Sequence, residues 1–336
     1  MTQIKVRASA LNGWATCLHD SGYEGAIVSE LMSSTLPPAA PQDAIPLKSF
    51  VAFSEQVAAR CRDVAVPWLV GVNYDVNALW QVGSAVSASP SVGTALRRLV
   101  DYFALLQDCT DIRLERDERM AVLSYRILDP DIWPRHHDAM FSLGIVAQIV
   151  RKGTRGAWEN VEFQFEAGQE EVRGDMSQIV SAPCSFGAET NAIRFPAAFL
   201  DCKLEPLFPD AALRQLNDSF VSRRRARPIS ERLAEVVFRD LDRFAIDQSR
   251  VAREIGMSSR TMRRKLAGEG SSFQQVLDEC RMRQAVFEFR TKPHLSIAQI
   301  ALRLGYSEHS TFTRAFHRWS SVSPQEYRAR LESRIN

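Results

Sequence analysis

The chain has 336 residues, 45% apolar and 24% charged, the proportions of an ordinary globular protein with length for two domains. Its net charge of +2 hides a split: residues 221–336 carry a net +10 and residues 1–220 a net −8, so one part is suited to a polyanion and the other is not. No window approaches the roughly 18 consecutive apolar residues of a membrane span, and the start, MTQIKVRASALNG, lacks the apolar run of a signal peptide, so a cytosolic location and no membrane partner are expected.

In chain order, residues 8–32 are expected to be helical, with Leu11, Trp14, Ala15 and Leu18 on one face. Pro37, Pro38, Pro41 and Pro46 make residues 33–46 a loop. A helix resumes over Leu47–Arg62, with Phe50, Phe53, Val57 and Cys61 as its stripe; Val64–Val72 is apolar throughout and reads as a buried strand or a connector. Ser91–Gln107 predicts a helix with Leu96, Leu99, Val100, Phe103 and Leu106 inward. Asp111–Arg116 and Met120–Ile127 predict two strands around an Asp117-Glu118-Arg119 turn. A long helix is expected from about Ile132 to Lys152, then strands at Val161–Phe165 and Ala192–Phe195. The N-terminal portion is therefore α+β.

No catalytic constellation stands out there: no GxSxG, no HExxH and no glycine-rich phosphate loop. The cysteines, Cys17, Cys61, Cys109, Cys184, Cys202 and Cys280, include no CxxC pair and no histidine at finger-like spacing. Reduced thiols are the expectation, with no metal and no cofactor. His136 and His137 lie beside Asp138, but neighbours on a helix do not share a face, so the two imidazoles are not expected to enter one pocket.

Residues 204–229 hold Pro206, Pro209 and Pro228, a short helix over Ala211–Val221, and the arginines 223, 224, 225 and 227. They read as a linker whose arginines either meet phosphates or are simply solvated. The remainder is all helical, with helices expected at 230–244, 249–255, 259–267, 272–290, 297–304, 308–318 and 324–331.

Within it, Ala301-x-x-x-Gly305-x-Ser307 reads as a tight helix–turn–helix: the alanine lets a helix cross closely, the glycine takes positive φ, and Ser307 offers an N-cap. Phe312, Phe316 and Trp319 then share one face, while His309, Ser310, Thr313, Arg314, His317 and Arg318 share the other. Alone, this is equally an amphipathic helix pair with a solvated face. However, Ala252-x-x-x-Gly256-x-Ser258 repeats the pattern 49 residues earlier, and at an offset of 50 Met262, Arg264 and Leu266 match Phe312, Arg314 and Phe316. Two such units favour a bipartite DNA reader. The helix between them, about 19 residues, is roughly 28 Å long, comparable with one turn of B-DNA, about 34 Å. The first unit presents Ser259, Arg260, Arg263, Arg264 and Lys265; the second presents His309, Ser310, Thr313, Arg314 and His317, all able to reach phosphates or base edges.

The run Ile297-Ala298-Gln299-Ile300-Ala301, Gly305-Tyr306, Ser310-Thr311-Phe312-Thr313-Arg314-Ala315-Phe316 and Ser323-Pro324-Gln325-Glu326-Tyr327-Arg328 resembles the signature of the AraC/XylS family of transcriptional regulators. Ser321 departs from it, standing where the family has Gly, and Leu266 stands for the usual Phe. The N-terminal portion, through Ser89–Leu96 leading into Tyr102 and through Phe186–Asn191, is similar to the ornithine-utilisation-regulator-like branch with its arabinose-binding-like domain. The resemblance implies an effector-binding and dimerisation domain over 1–204, a linker over 205–229 and a DNA-binding domain over 230–336, with helix-turn-helix motifs at 249–267 and 297–318. It also implies a homodimer acting on double-stranded promoter DNA and RNA polymerase, not an enzyme, as activator of a catabolic operon. The effector it implies is an amine, amino acid or related metabolite, for which Tyr102, His136, His137 and Asn191 are candidate contacts. The alternatives are an N-terminal module for dimerisation or partner docking alone, or an enzyme tethered to DNA.

Overall fold

A computed structural model describes residues 4–20, 22–23, 25–172, 174–205, 216–222, 227–241 and 246–332. The chain divides into two units, one of residues 3–127 and 134–225, the other of residues 1–2, 128–133 and 226–336.

In the first unit, the short strands β1 (Lys5–Arg7) and β2 (Ala44–Pro46) pair antiparallel. The helix expected over 8–32 is broken into a 3-10 turn at Ala8–Leu11, α1 (Trp14–Asp20) and α2 (Gly25–Thr35). Gly13 and Gly22 stand at the two breaks with φ of 77° and 84°, a conformation that ends helices and favours glycine. The loop expected over 33–46 is shorter at both ends, because α2 runs on to Thr35 and β2 begins at Ala44.

Helix α3 (Leu47–Cys61) buries Phe50, Phe53 and Val57 as its periodicity predicts. The ambiguous apolar run is neither strand nor connector but helix α4 (Val66–Val72), with Pro67 in its first turn, where no amide donor is needed. After α5 (Trp80–Ser87) comes α6 (Val92–Tyr102), whose Ser91 hydroxyl accepts from the Thr94 amide at 3.2 Å. It ends five residues before the expected Gln107 because the chain tightens into a 3-10 turn over Phe103–Leu105.

Strands β3 (Thr110–Arg116) and β4 (Met120–Ile127) form the expected hairpin, with Asp117 Oδ1 accepting from the amides of Arg119 and Met120. Helix α7 (His136–Gly153) starts later than expected; Pro130 and Pro134 disfavour helical backbone in the residues before them. Then follow β5 (Glu162–Gln164), α8 (Met176–Val180), β6 (Cys184–Ser185) and β7 (Asn191–Pro196). The five-stranded sheet runs β3-β4-β7-β5-β6, antiparallel except for β5 with β6. Leu123 of β4 lies opposite Ile193 of β7, and both are buried. Trp14, Phe50, Phe53 and Phe141 interlock edge to face or tilted as the aromatic centre of the helical layer.

Residues 216–222 are helical, the described part of the short helix expected over 211–221. Residues 211–215, the arginines 223–225, and residues 242–245 at the end of the helix expected over 230–244 lie outside the described residues. Arg227 is paired with Glu235 at 2.8 Å.

The second unit holds α9 (Ile229–Asp240), α10 (Gln248–Glu254), α11 (Ser259–Gly268), α12 (Phe273–Thr291), α13 (Ile297–Arg303), α14 (His309–Ser320) and α15 (Pro324–Glu332). Side-chain caps begin most of them: Asp247, Ser258, Ser272 and Ser296 each accept from an amide in the following turn, Ser296 within a capping box with Gln299. The structure is thus an α+β unit and an all-α unit whose two helix pairs, α10–α11 and α13–α14, are joined by the 19-residue α12. Among the described residues no helix is long and apolar enough to cross a membrane.

Candidate nucleic-acid interface

The two helix pairs are built to one plan. Gly256 and Gly305 both have φ of +79°. The Gly256 and Met257 amides donate to the Arg253 and Ala252 carbonyls, each at 3.0 Å, and those of Gly305 and Tyr306 donate to Leu302 and Ala301 at the same distance. Both are Schellman caps, which satisfy the last carbonyls of α10 and α13 while turning the chain into the next helix. Ala252 and Ala301 are buried in the crossing.

From that turn, α11 sends Met262 and Leu266 inward and α14 sends Phe312 and Phe316 inward, all fully buried. The paired positions diverge at the cap. Ser258 accepts from the Thr261 amide, whereas the corresponding residue in the second pair is Glu308, which makes no side-chain cap; Ser307 is one residue too early for the N-cap role expected of it. Trp319 is also less inward than its spacing implies: it lies against Phe316 but remains 46% exposed.

The opposite faces carry the expected polar residues. Arg260, Arg263, Arg264 and Lys265 of α11 are exposed, with Ser259 half-buried. His309, Ser310, Arg314 and His317 of α14 are exposed, with Thr313 half-buried and its hydroxyl donating to the His309 carbonyl at 3.0 Å. Arg314 donates to the Thr311 hydroxyl at 3.2 Å. These guanidinium groups have the reach and fork geometry for phosphate or guanine edges.

Both pairs are braced. Arg250 of α10 and Arg239 of α9 share the buried carboxylate of Asp240. In the second pair, Arg303 of α13 grips the fully buried Glu288 of α12 through Nε at 3.0 and 3.2 Å. Glu269, beyond α11, accepts from the Ile229 and Ser230 amides at 2.7 and 2.9 Å, fixing the start of α9 against the first pair. Ser321, in the position where glycine was noted as the family residue, ends α14 with φ of 64°. The turn keeps its left-handed geometry without the glycine, so Ser321→Gly is expected to raise stability by up to about 1 kcal/mol. Thermal denaturation reads this, and a lower Tm would show that the serine carries no strain.

The candidate effector contacts are dispersed. Tyr102 is half-buried with its ring edge-on to Phe220. Asn191 is buried with its amide committed to backbone, Oδ1 accepting from the Glu166 amide and Nδ2 donating to the Tyr125 carbonyl. His136 and His137, contrary to the adjacency expectation, do converge: their ring centroids lie 4.0 Å apart with the planes tilted by 48°, and both reach Glu55 Oε2 of α3. They occupy the first turn of α7, where no preceding helical turn confines the side chains. Burial pushes the His136 imidazole down to about 4. Glu55, His136 and His137 place three ligand-type atoms within 4.8 Å of one another and so could hold a metal ion.

None of these four residues lines the apolar cavity of the same unit. That cavity, about 50 Å³, is walled by side chains of β1, α3, α6, β3, β4 and α7, among them Val6, Phe50, Leu99, Ile112, Phe141 and Ile145. Its polar corner is a relay: the Gln107 amide donates to the Tyr125 hydroxyl at 2.8 Å, and that hydroxyl donates to Asp138 Oδ2 at 2.6 Å. Asp138 Oδ1 has no hydrogen-bond partner, and burial pushes the carboxyl up to about 7 against the pull of the Tyr125 bond. The corner is made by residues of β4, α7 and the stretch before β3, which no local motif announces. A second hollow, about 150 Å³, is polar, and its Asp75, Lys152 and Glu205 are exposed.

Tandem turn-and-helix pairs with basic outer faces, beside a separate α+β unit that encloses a cavity, make up a DNA-binding transcriptional regulator with a ligand domain. Residues 31–204 match the model of the arabinose-binding domain of AraC transcription regulator, N-terminal, and residues 251–330 match a helix-turn-helix domain. The chain belongs to the AraC family. An uncharacterised HTH-type transcriptional regulator of Mycobacterium tuberculosis is 32% identical over 300 residues, 83% of this chain and 84% of its own. The ornithine utilization regulator of Pseudomonas aeruginosa is 26% identical over 298 residues, with the same two coverages. The structure of the transcriptional regulator CdpR from Pseudomonas aeruginosa aligns over 90% of this chain and 97% of its own at 21% identity, with a TM-score of 0.40.

Proposed function

We propose that this AraC-type regulator is an effector-responsive activator of a catabolic operon. In this reading residues 1–204 sense the effector and dimerise, residues 205–229 link, and residues 230–336 read the operator and meet RNA polymerase in the cytoplasm. The observation that carries it is the duplicated Schellman turn followed by an exposed arginine face, which a purely structural helix pair has no need to repeat. An effector acts on such a protein by binding two states of its domain unequally, which moves the population between them.

Arg263 of α11 and Arg314 of α14 are the assigned readers, with Ser259, Arg260, Arg264, Lys265, His309, Ser310, Thr313 and His317 around them. Arg263→Ala or Arg314→Ala is expected to weaken binding to the operator by about 1–3 kcal/mol, roughly five- to 150-fold, with an unchanged circular dichroism spectrum. Fluorescence anisotropy with promoter DNA at fixed salt measures this. Wild-type affinity in both variants would remove these residues from the interface.

A further inference from the structure

We infer that the cavity beside Asp138 is the effector site and takes a small apolar monoamine, its ammonium group bound to the Asp138 carboxylate. This rests on the effector-responsive reading above and narrows it to one chemical class.

Asp138 carries an unpartnered oxygen. A buried polar atom without a hydrogen bond is costly, and nearly all buried polar groups in folded proteins are satisfied. Asp138 Oδ2 is satisfied by Tyr125, and Tyr125 is oriented in turn by Gln107. Oδ1 is left without a partner on a residue that lines the cavity. The protein therefore keeps one carboxyl oxygen unsatisfied on a residue that lines a largely apolar void. That arrangement suits a ligand that donates a hydrogen bond from one end and buries hydrocarbon at the other.

Charge selects among donors. No lysine, arginine or histidine lines the cavity. A ligand ammonium would place a countercharge inside the cavity, and pairing is the condition under which a buried carboxylate is tolerated. The same lack of cations disfavours a second functional group. The carboxylate of an amino acid would enter the cavity with no cation to meet it, so amino acids such as ornithine are poor ligands here. The volume sets the size: a void of this extent takes a ligand of roughly four or five heavy atoms. The walls come from both the helices and the sheet of the unit, so an occupant bears on the packing between those two layers.

The test is binding to the full-length chain by isothermal titration and thermal shift, at fixed pH and ionic strength. The probes are n-propylamine and n-butylamine, with butyrate, n-butanol, alanine and ornithine as comparators and ammonium chloride as the ionic control. The expected result is saturable binding and a raised Tm for the alkylamines, at least tenfold weaker binding for every comparator, and at least tenfold weaker alkylamine binding in the isosteric Asp138→Asn. Ala10 also lines the cavity, and Ala10→Val, which narrows it without altering the carboxyl, is expected to lose the alkylamines too and covers the case in which Asp138→Asn does not fold. Butyrate or an amino acid binding as tightly as the alkylamines would overturn the monoamine assignment, as would alkylamine binding unaffected by both variants. So would the absence of any alkylamine binding. Operator affinity, measured separately, stands or falls independently of all three results.

Discussion

Phe316→Ala is expected to destabilise the helical unit by about 3–5 kcal/mol and to abolish operator binding with it. Phe316 is fully buried, and its ring meets those of Phe289 of α12 at 5.5 Å, Phe312 of α14 at 5.7 Å and Tyr327 of α15 at 5.5 Å. Truncation removes a ring that joins α14 to both α12 and α15. It leaves a void walled by rigid rings, which collapse into it poorly. Urea denaturation of the full chain followed by far-ultraviolet circular dichroism reads the loss. A cost under about 1 kcal/mol would mean that α14 is held by its neighbours' polar contacts rather than by this cluster.

Gly71→Ala is expected to be nearly as damaging in the α+β unit, by about 3 kcal/mol, the upper end of overpacking costs. A methyl group at Gly71 would lie 2.3 Å from the Phe141 carbonyl oxygen and 3.0 Å from the Gly144 Cα. Both obstacles are backbone of α7, so no side chain can swing aside. The helices α4 and α7 must separate, and the aromatic centre around Phe141 separates with them. The chain is expected to bind alkylamines and hold its shape less well together. A Tm within a degree of wild type would show that the crossing has slack.

The helical unit was legible because its information is local. The Ala-x-x-x-Gly spacing, repeated after 49 residues, reports a backbone geometry that glycine supplies, and the inward residues Met262, Leu266, Phe312 and Phe316 follow the helical period. The cap of α14 was misplaced by one residue because Ser307 looks like a cap, while the true boundary at Glu308 is set by the turn before it. The α+β unit was less legible for three physical reasons. Strands β1 and β2 are three residues long, too short to show alternation. Helix α4 packs its glycine against α7 and is apolar on nearly every side, so it shows no period. The cavity's polar corner joins Gln107, Tyr125 and Asp138, which are far apart in the chain or on different elements. Asp138 itself was in view only as the neighbour of two histidines. Those histidines converge because they stand at a helix start, whereas neighbours are held to different faces only in a helix interior.

Helix α12 has a consequence for the thermodynamics of reading DNA. Its buried side chains include Val276, Leu277, Phe287, Glu288 and Phe289, spread along its length, so it is gripped by core from end to end rather than serving as a tether. If α11 and α14 read DNA as proposed, docking of one would fix the other at a high effective concentration over its own stretch of the duplex, with little configurational freedom left to lose. The second contact becomes an intramolecular event. On the proposed reading, the two sets of arginine and histidine contacts would combine as an avidity, with the pair of them, not either helix alone, as the unit of recognition.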